Sequence, residues 1–250
     1  MTDLLESVIE AHGGLDRWRE LDAISARLVH GGALFKVKGK QGLLDDVFIG
    51  ASLHQQWVSH HPFGAADRPT AFTPDRVAIE TTNGDVVEAL ERPRASFAGH
   101  TLETPWTPLQ SAYFVGTAMW TYLTRPFTCA LPGFDTTELE PWNESGEEWR
   151  RRRVVWPGHP VQTANRRMPG LATHSTEQTL YVSADGLLGR HDYNIDIAGG
   201  AGYALYIDDY IKVAGILVPT KCRIFPRGSD NQSLGEPLVI SIDLSEIAFT

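Results

Sequence analysis

In the last third of this 250-residue chain, apolar side chains return at every second position in one short segment after another. Tyr181 to Ser183, Leu187 to Ile197, Tyr203 to Lys212, Ile216 to Phe225 and Leu238 to Phe249 all read this way, with turn signals at Asp185-Gly186, Gly199-Gly200 and Gly215 between them. A period of two puts alternate side chains on opposite faces, so these segments form an antiparallel sheet with one buried face. Such a face needs a cover, and the rest of the chain must supply it.

The earlier part reads as helices and hairpins. Asp3 to about Ala11 is an amphipathic helix with Leu4, Leu5, Val8 and Ile9 on one stripe, closed by Gly13-Gly14. A short second helix, Leu15 to about Leu21, carries Trp18. A long hairpin follows: Ile24 to Lys38, a turn near Lys40-Gln41-Gly42, and Leu44 back to His61. A tighter one joins Arg76 to Thr82 with Asp85 to Glu91 through Asn83-Gly84. Thr107 to Thr124 is helical and apolar on most sides, with Pro108 in its first turn and Pro126 past its end. A helix of this kind is buried as core or lies across the mouth of a pocket. Strands resume at Thr136 to Pro141 and Glu147 to Trp156. The proline-containing loop from Pro157 to Leu171, with Arg166-Arg167, has the length of a lid or binding loop. No linker divides the chain, which reads as a single domain spanning residues 1–250.

Composition narrows the function. The hydrophobic share of 42% and charged share of 21% suit a soluble globular protein with a full core. A formal charge of −9 argues against nucleic acid as a partner. The run Arg150-Arg151-Arg152-Arg153 lies on a strand, which divides its charge between two faces. Nothing is apolar enough for stable membrane insertion. The cysteines, Cys129 and Cys222, read as buried thiols. His54, His60 and His61 on one strand lack a third metal ligand, and no G-x-S-x-G elbow, P-loop or Cys-x-x-Cys pair occurs, so neither metal nor cofactor is expected.

The opening Glu10-Ala11-His12-Gly13-Gly14-Leu15 with Trp18, and the closing Asp209-Tyr210-x-x-Val213-x-Gly215-Ile216-x-Val218-Pro219-Thr220, resemble bacterial proteins related to the outer-membrane lipoprotein carriers, the Lol-type half-barrels. The resemblance implies a strongly curved, incompletely closed antiparallel sheet wrapped around helices. It also implies an apolar concave face that holds acyl chains or similar molecules. Carriers of that kind work in the periplasm behind a signal peptide. Here Met1-Thr2-Asp3 leads straight into a helix, and the expectation is a cytoplasmic protein.

The fold class expected is therefore α+β: one half-barrel with an N-terminal helix and a central helical insert, about residues 105–125, covering the concave face. In Leu187 to Ile197, His191 and Tyr193 share the apolar phase with Ile195, while Arg190 and Asp192 belong in water. In the next strand Asp209 shares a phase with Tyr203, Leu205 and Ile207. His191, Tyr193, Ile195, Tyr203 and Leu205, with Trp57, Trp120 and Tyr113, are the residues expected around a bound hydrophobic small molecule, with His191 and Tyr193 as polar anchors. An enzyme built on the same cup would use His191 as base, assisted by Asp209 or Tyr193, for isomerisation, cyclisation or dehydration. A third reading is a scaffold whose cup is filled by its own helices.

Overall fold

A computed structural model describes residues 3–158 and 170–250, with the backbone of 161–162 and 167–168. Much of the loop expected to act as a lid, Arg166 included, lies outside the described residues. The Asp3 carboxylate accepts the Leu5 N–H at 2.8 Å and opens α1 (Leu4–Ala11), which buries Leu4, Val8 and Ile9. Gly13 follows at φ 122°, and a Cβ there would run into the Gly215 carbonyl, so only glycine lets the chain pass. The His12 carbonyl accepts the Leu217 N–H at 2.9 Å, tying this corner to the C-terminal sheet. Next comes α2 (Leu15–Arg19).

The first long hairpin is broken up. Strand β1 (Ala23–Gly31) stops short of Lys38, and the chain turns into the single-turn helix α3 (Leu34–Val37). Gly32 causes this: it sits at φ 99° against the Val239 backbone, where a Cβ has no room. The return arm is two strands, β2 (Asp46–Ser52) and β3 (Val58–His61), paired with each other. Then come β4 (Thr70–Phe72) and the hairpin of β5 (Arg76–Glu80) and β6 (Val86–Glu91) about Asn83-Gly84. Helix α4 (Pro108–Thr124) starts with a full capping box, Gln110 N–H to Thr107 Oγ1 at 3.1 Å and Thr107 N–H to Gln110 Oε1 at 2.9 Å. Strands β7 (Asp135–Glu144) and β8 (Glu147–Val155) form a hairpin, and β9 (Val161–Gln162) and β10 (Arg167–Met168) a separate short ladder. The meander is β11 (Glu177–Val182), β12 (Leu188–Ile195), β13 (Ala201–Val213), β14 (Ile216–Pro226) and β15 (Ile240–Phe249).

Thirteen of these strands make one antiparallel sheet, in the order β6-β5-β4-β3-β2-β1-β15-β14-β13-β12-β11-β8-β7. Strands β6 and β7 do not pair, so the sheet curves without closing. Helix α4 lies inside the curve, and every residue from Leu109 to Thr124 is buried. It is core, not a surface cover. Cys129 and Cys222 are free, buried thiols. Along β8, Arg150 pairs with Glu138, Arg152 with Asp3 and Arg153 with Glu177, while Arg151 donates to the Glu140 carbonyl. No helix among the described residues is long and apolar enough to cross a membrane.

The seat of α4 is set by Gly116, whose Cα faces the Phe72 ring so closely that a Cβ would overlap it. Alanine favours a helix over glycine by about 1 kcal/mol, but overpacking here costs about 1–3 kcal/mol. We expect Gly116→Ala to lower the urea midpoint, and Phe72→Leu in the same chain to restore part of it. A midpoint raised by Gly116→Ala alone would mean that helix and sheet are not in this contact.

Candidate functional site

The C-terminal half of α4 meets β8, β11 and β12 around a cluster of polar side chains in the apolar interior. Arg125, the residue that ends α4, precedes Pro126, which forces it into an extended conformation (φ −77°, ψ 150°). Its side chain is buried (7% exposed), and the guanidinium carbon lies 4.7 Å from the Tyr122 ring centre. Arg125 Nη1 donates to His191 Nδ1. His191 Nε2 lies 2.7 Å from Gln178 Oε1. Gln178 Nε2 in turn donates to the Ser175 carbonyl at 3.0 Å and to Thr173 Oγ1 at 2.6 Å.

These bonds fix the protons. A carbonyl can only accept, so the Gln178 amide is oriented with its oxygen toward His191. A guanidinium can only donate, so His191 Nδ1 is the acceptor and Nε2 carries the hydrogen. His191 is therefore neutral. Burial holds its pKa well below the usual imidazole value, and the charge of Arg125 adds to the effect. Tyr122 and Tyr193 share a hydrogen bond between hydroxyls at 2.5 Å, and His174 stacks between Phe114 (4.7 Å) and Tyr193 (5.3 Å). Burial raises the pKa of both tyrosines.

A small cavity of about 10 Å³ opens beside this cluster, close to the minimum for one water molecule. Arg125, Gln178 and His191 form its polar wall; Val154, Trp156 and Leu180 form the apolar one. Thr121 and Thr128 also border it, but their hydroxyls bond back to the Thr117 and Thr124 carbonyls (2.9 and 3.2 Å), one helical turn earlier. The Cys129 thiol completes the lining, its pKa pushed up to about 12 by burial.

The residues expected at a ligand are dispersed. His191 reaches the cavity. Tyr193, Ile195, Tyr203, Leu205, Tyr113 and Trp120 are buried but do not line it, and the Trp120 indole N–H is bound to the Ser52 carbonyl at 2.9 Å. Trp57 is 39% exposed. The proposed pairing of His191 with Asp209 does not form. Asp209 adopts a left-handed backbone (φ 55°), which exchanges the two faces of β13 at that point. Its carboxylate is 56% exposed and paired with Lys221, while Tyr210 turns inward and donates to the Leu188 carbonyl at 2.7 Å.

Arg190 and Asp192 also depart from expectation: their exposures are 0% and 3%. The outer face of β12 is covered as well. Arg190 grips both Asp192 oxygens (2.7 and 2.8 Å), Glu144 (2.7 Å) and the Asn231 carbonyl (2.6 Å), beneath the Tyr181 ring. Arg125 and Gln178 escape a reading by alternation alone. The available signals are an amide sharing the phase of Leu180 and a cation standing between an apolar helix and a proline.

The architecture defines the class: an α+β half-barrel holding a helix in its cup. No family model matches the chain, and no curated protein does. Among solved structures, a LolA superfamily protein from Nitrosomonas europaea shares this fold at 9% identity and a TM-score of 0.50, covering 99% of this chain and 92% of that one. A DUF1329 family protein from Desulfovibrio piger is similar at 12% identity and a TM-score of 0.44, covering 99% and 94%. A putative outer membrane lipoprotein-sorting protein domain from Vibrio parahaemolyticus gives 10% and 0.38, covering 96% and 93%. At such identities the likeness is one of fold.

The buried histidines give a pH prediction. Burial lowers His12 to about 4 and His60 and His174 to about 3, from an ordinary 6.5, and holds His191 well below it. With folded pKa values depressed, the unfolded chain binds the extra protons as pH falls below 6.5, and stability falls with it. Each such ring removes about 1.4 kcal/mol per pH unit between its two pKa values. The urea midpoint should be flat from pH 8 to 7 and drop steeply between pH 6.5 and 5. A midpoint level down to pH 5 would show that these rings protonate freely in the folded protein.

Proposed function

We propose that this half-barrel binds a hydrophobic small molecule, of acyl, isoprenoid or polyketide-like character, beneath the C-terminal half of α4. The observation that carries the reading is a cavity walled by Val154, Trp156 and Leu180 on which Arg125, Gln178 and His191 converge. A mostly apolar pocket with a few oriented polar groups is the usual form of a small-molecule site. The volume of about 10 Å³ holds no chain as it stands, so binding has to widen the cavity. The place to widen it is the 3-10 turn Phe127–Ala130, which carries Thr128 and Cys129 and is held outside by Phe127 stacked on Trp18 at 4.2 Å.

A scaffold with no ligand is the rival favoured by a specific observation, the burial of α4 along nearly its whole length. The acid–base reading has less support, since Asp209 faces away from His191 and the His191 Nδ1 lone pair is engaged by Arg125.

Leu180→Ala separates the first two. Removing this buried side chain costs about 2–5 kcal/mol and leaves space. In a binding protein that space lengthens the cavity, and native mass spectrometry with dodecan-1-ol and farnesol should show saturable 1:1 complexes that are stronger in the variant than in the parent. In a scaffold the parent binds neither probe, and any complex is confined to the space opened in the less stable variant. Absence of a 1:1 complex in both forms would reject the binding reading.

A further inference from the structure

Among the described residues, four basic side chains other than histidine are buried: Lys38, Arg125, Arg152 and Arg190. Three of them end on oxygen. Lys38 Nζ donates to the carbonyls of Thr101, Leu102 and Thr104 at 3.0, 2.5 and 3.3 Å. Arg152 holds the Asp3 carboxylate at 2.7 Å, and Arg190 holds Asp192 and Glu144. Arg125 differs from all of these. Its one hydrogen-bond partner among the described residues is the neutral His191 ring, and its Nη2 is buried with no partner. No ion pair reaches it among those residues, and the segment 159–169 contains no Asp or Glu.

A guanidinium without a counter-ion is costly in an apolar interior, where charges are otherwise paired. What lies behind Arg125 is built to hold it without neutralising it. The Gln178 amide is locked by Ser175 and Thr173, it fixes the His191 tautomer, and His191 offers a lone pair to Nη1. A carboxylate in the place of His191 would satisfy the same N–H and cancel the charge. A neutral acceptor positions the side chain and leaves its charge for something else. The group borders the cavity, at the C-terminal end of α4.

We infer that Arg125 is the anchor for an acidic head group, and that the ligand is a carboxylic acid with an apolar body, its carboxylate meeting the Arg125 Nη2 edge. The inference rests on the binding reading above and deepens it by naming the head group. A carboxylate is planar and pairs with a guanidinium through charge-assisted hydrogen bonds, and the widening that admits the tail also makes room for the head group.

The test is calorimetric titration of the full chain at pH 8 with dodecanoate and with dodecan-1-ol, both below micellar concentration. These probes share their apolar tail and differ in charge at the head. Dodecanoate should bind on the order of tenfold or more tightly than the alcohol. In Arg125→Gln the preference should collapse toward unity, dodecanoate losing more affinity than the alcohol. Arg125→Lys, which keeps the charge, should retain part of the preference. Equal affinities for the two probes in the parent protein would overturn the anchor and leave an apolar-binding protein. Binding of neither probe would overturn both readings. The comparison within the parent protein decides the matter even if a variant does not fold.

Discussion

The packing of one helix inside an unclosed sheet is the condition on which the rest of this structure depends. Thirteen antiparallel strands present a concave face lined by Ile24, Val47, Ile49, Phe72, Leu205 and Ile224. Left open, that face would expose far more apolar surface than a soluble protein tolerates. Helix α4 removes it from water. The helix cannot be amphipathic in the ordinary sense, because sheet surrounds it on most sides. Its threonine hydroxyls are satisfied internally: Thr117, Thr121 and Thr124 return theirs to carbonyls of the preceding turn. The absence of a Cβ at Gly116 sets how close helix and sheet can come.

Strand β12 carries two kinds of polar chemistry on opposite faces. Outward, Arg190 and Asp192 neutralise each other, with Glu144, Tyr181 and Tyr206 filling the remaining valences. This is a closed network, in which every charge meets an opposite one. Inward, His191 sits one residue away from both and belongs to an open chain that starts at the Ser175 carbonyl and ends on a cation with no anion among the described residues. The closed network holds strands β7, β11, β12 and β13 together. The open chain leaves polar capacity facing the cavity.

Much of the fold could be read from the residues because alternation is a strong signal. The meander from β11 to β15, the Asn83-Gly84 hairpin and the capped α4 all stand close to where pattern and turn chemistry put them. The failures have specific physical causes. Alternation assigns one face to water, and β12 is covered on that face at Arg190 and Asp192, with Asn194 left exposed, since Trp149 packs on Gly189 and Trp142 approaches Arg190. A single left-handed residue, Asp209, changes the phase of β13, and although aspartate tolerates that conformation better than most residues, the Asp208-Asp209 pair does not mark which position adopts it. Gly32 ends β1 through contact with a strand more than two hundred residues later, which no local window contains. The site was half legible. His191 was visible as an imidazole in an apolar phase. Arg125 was not, because its importance lies in what fails to surround it.

An open sheet also has two rims, and each leaves a row of unpaired amide and carbonyl groups that another chain could extend. The outer rim at β7 carries Asp135, Glu138, Glu140 and Glu144, interrupted by Pro141, and its partner strand begins with Glu147 and Glu148. A second copy laid along it would bring carboxylates against carboxylates and meet a position with no N–H to offer. An unclosed sheet would therefore invite polymerisation, and an acidic, proline-interrupted rim disfavours the addition of a further strand.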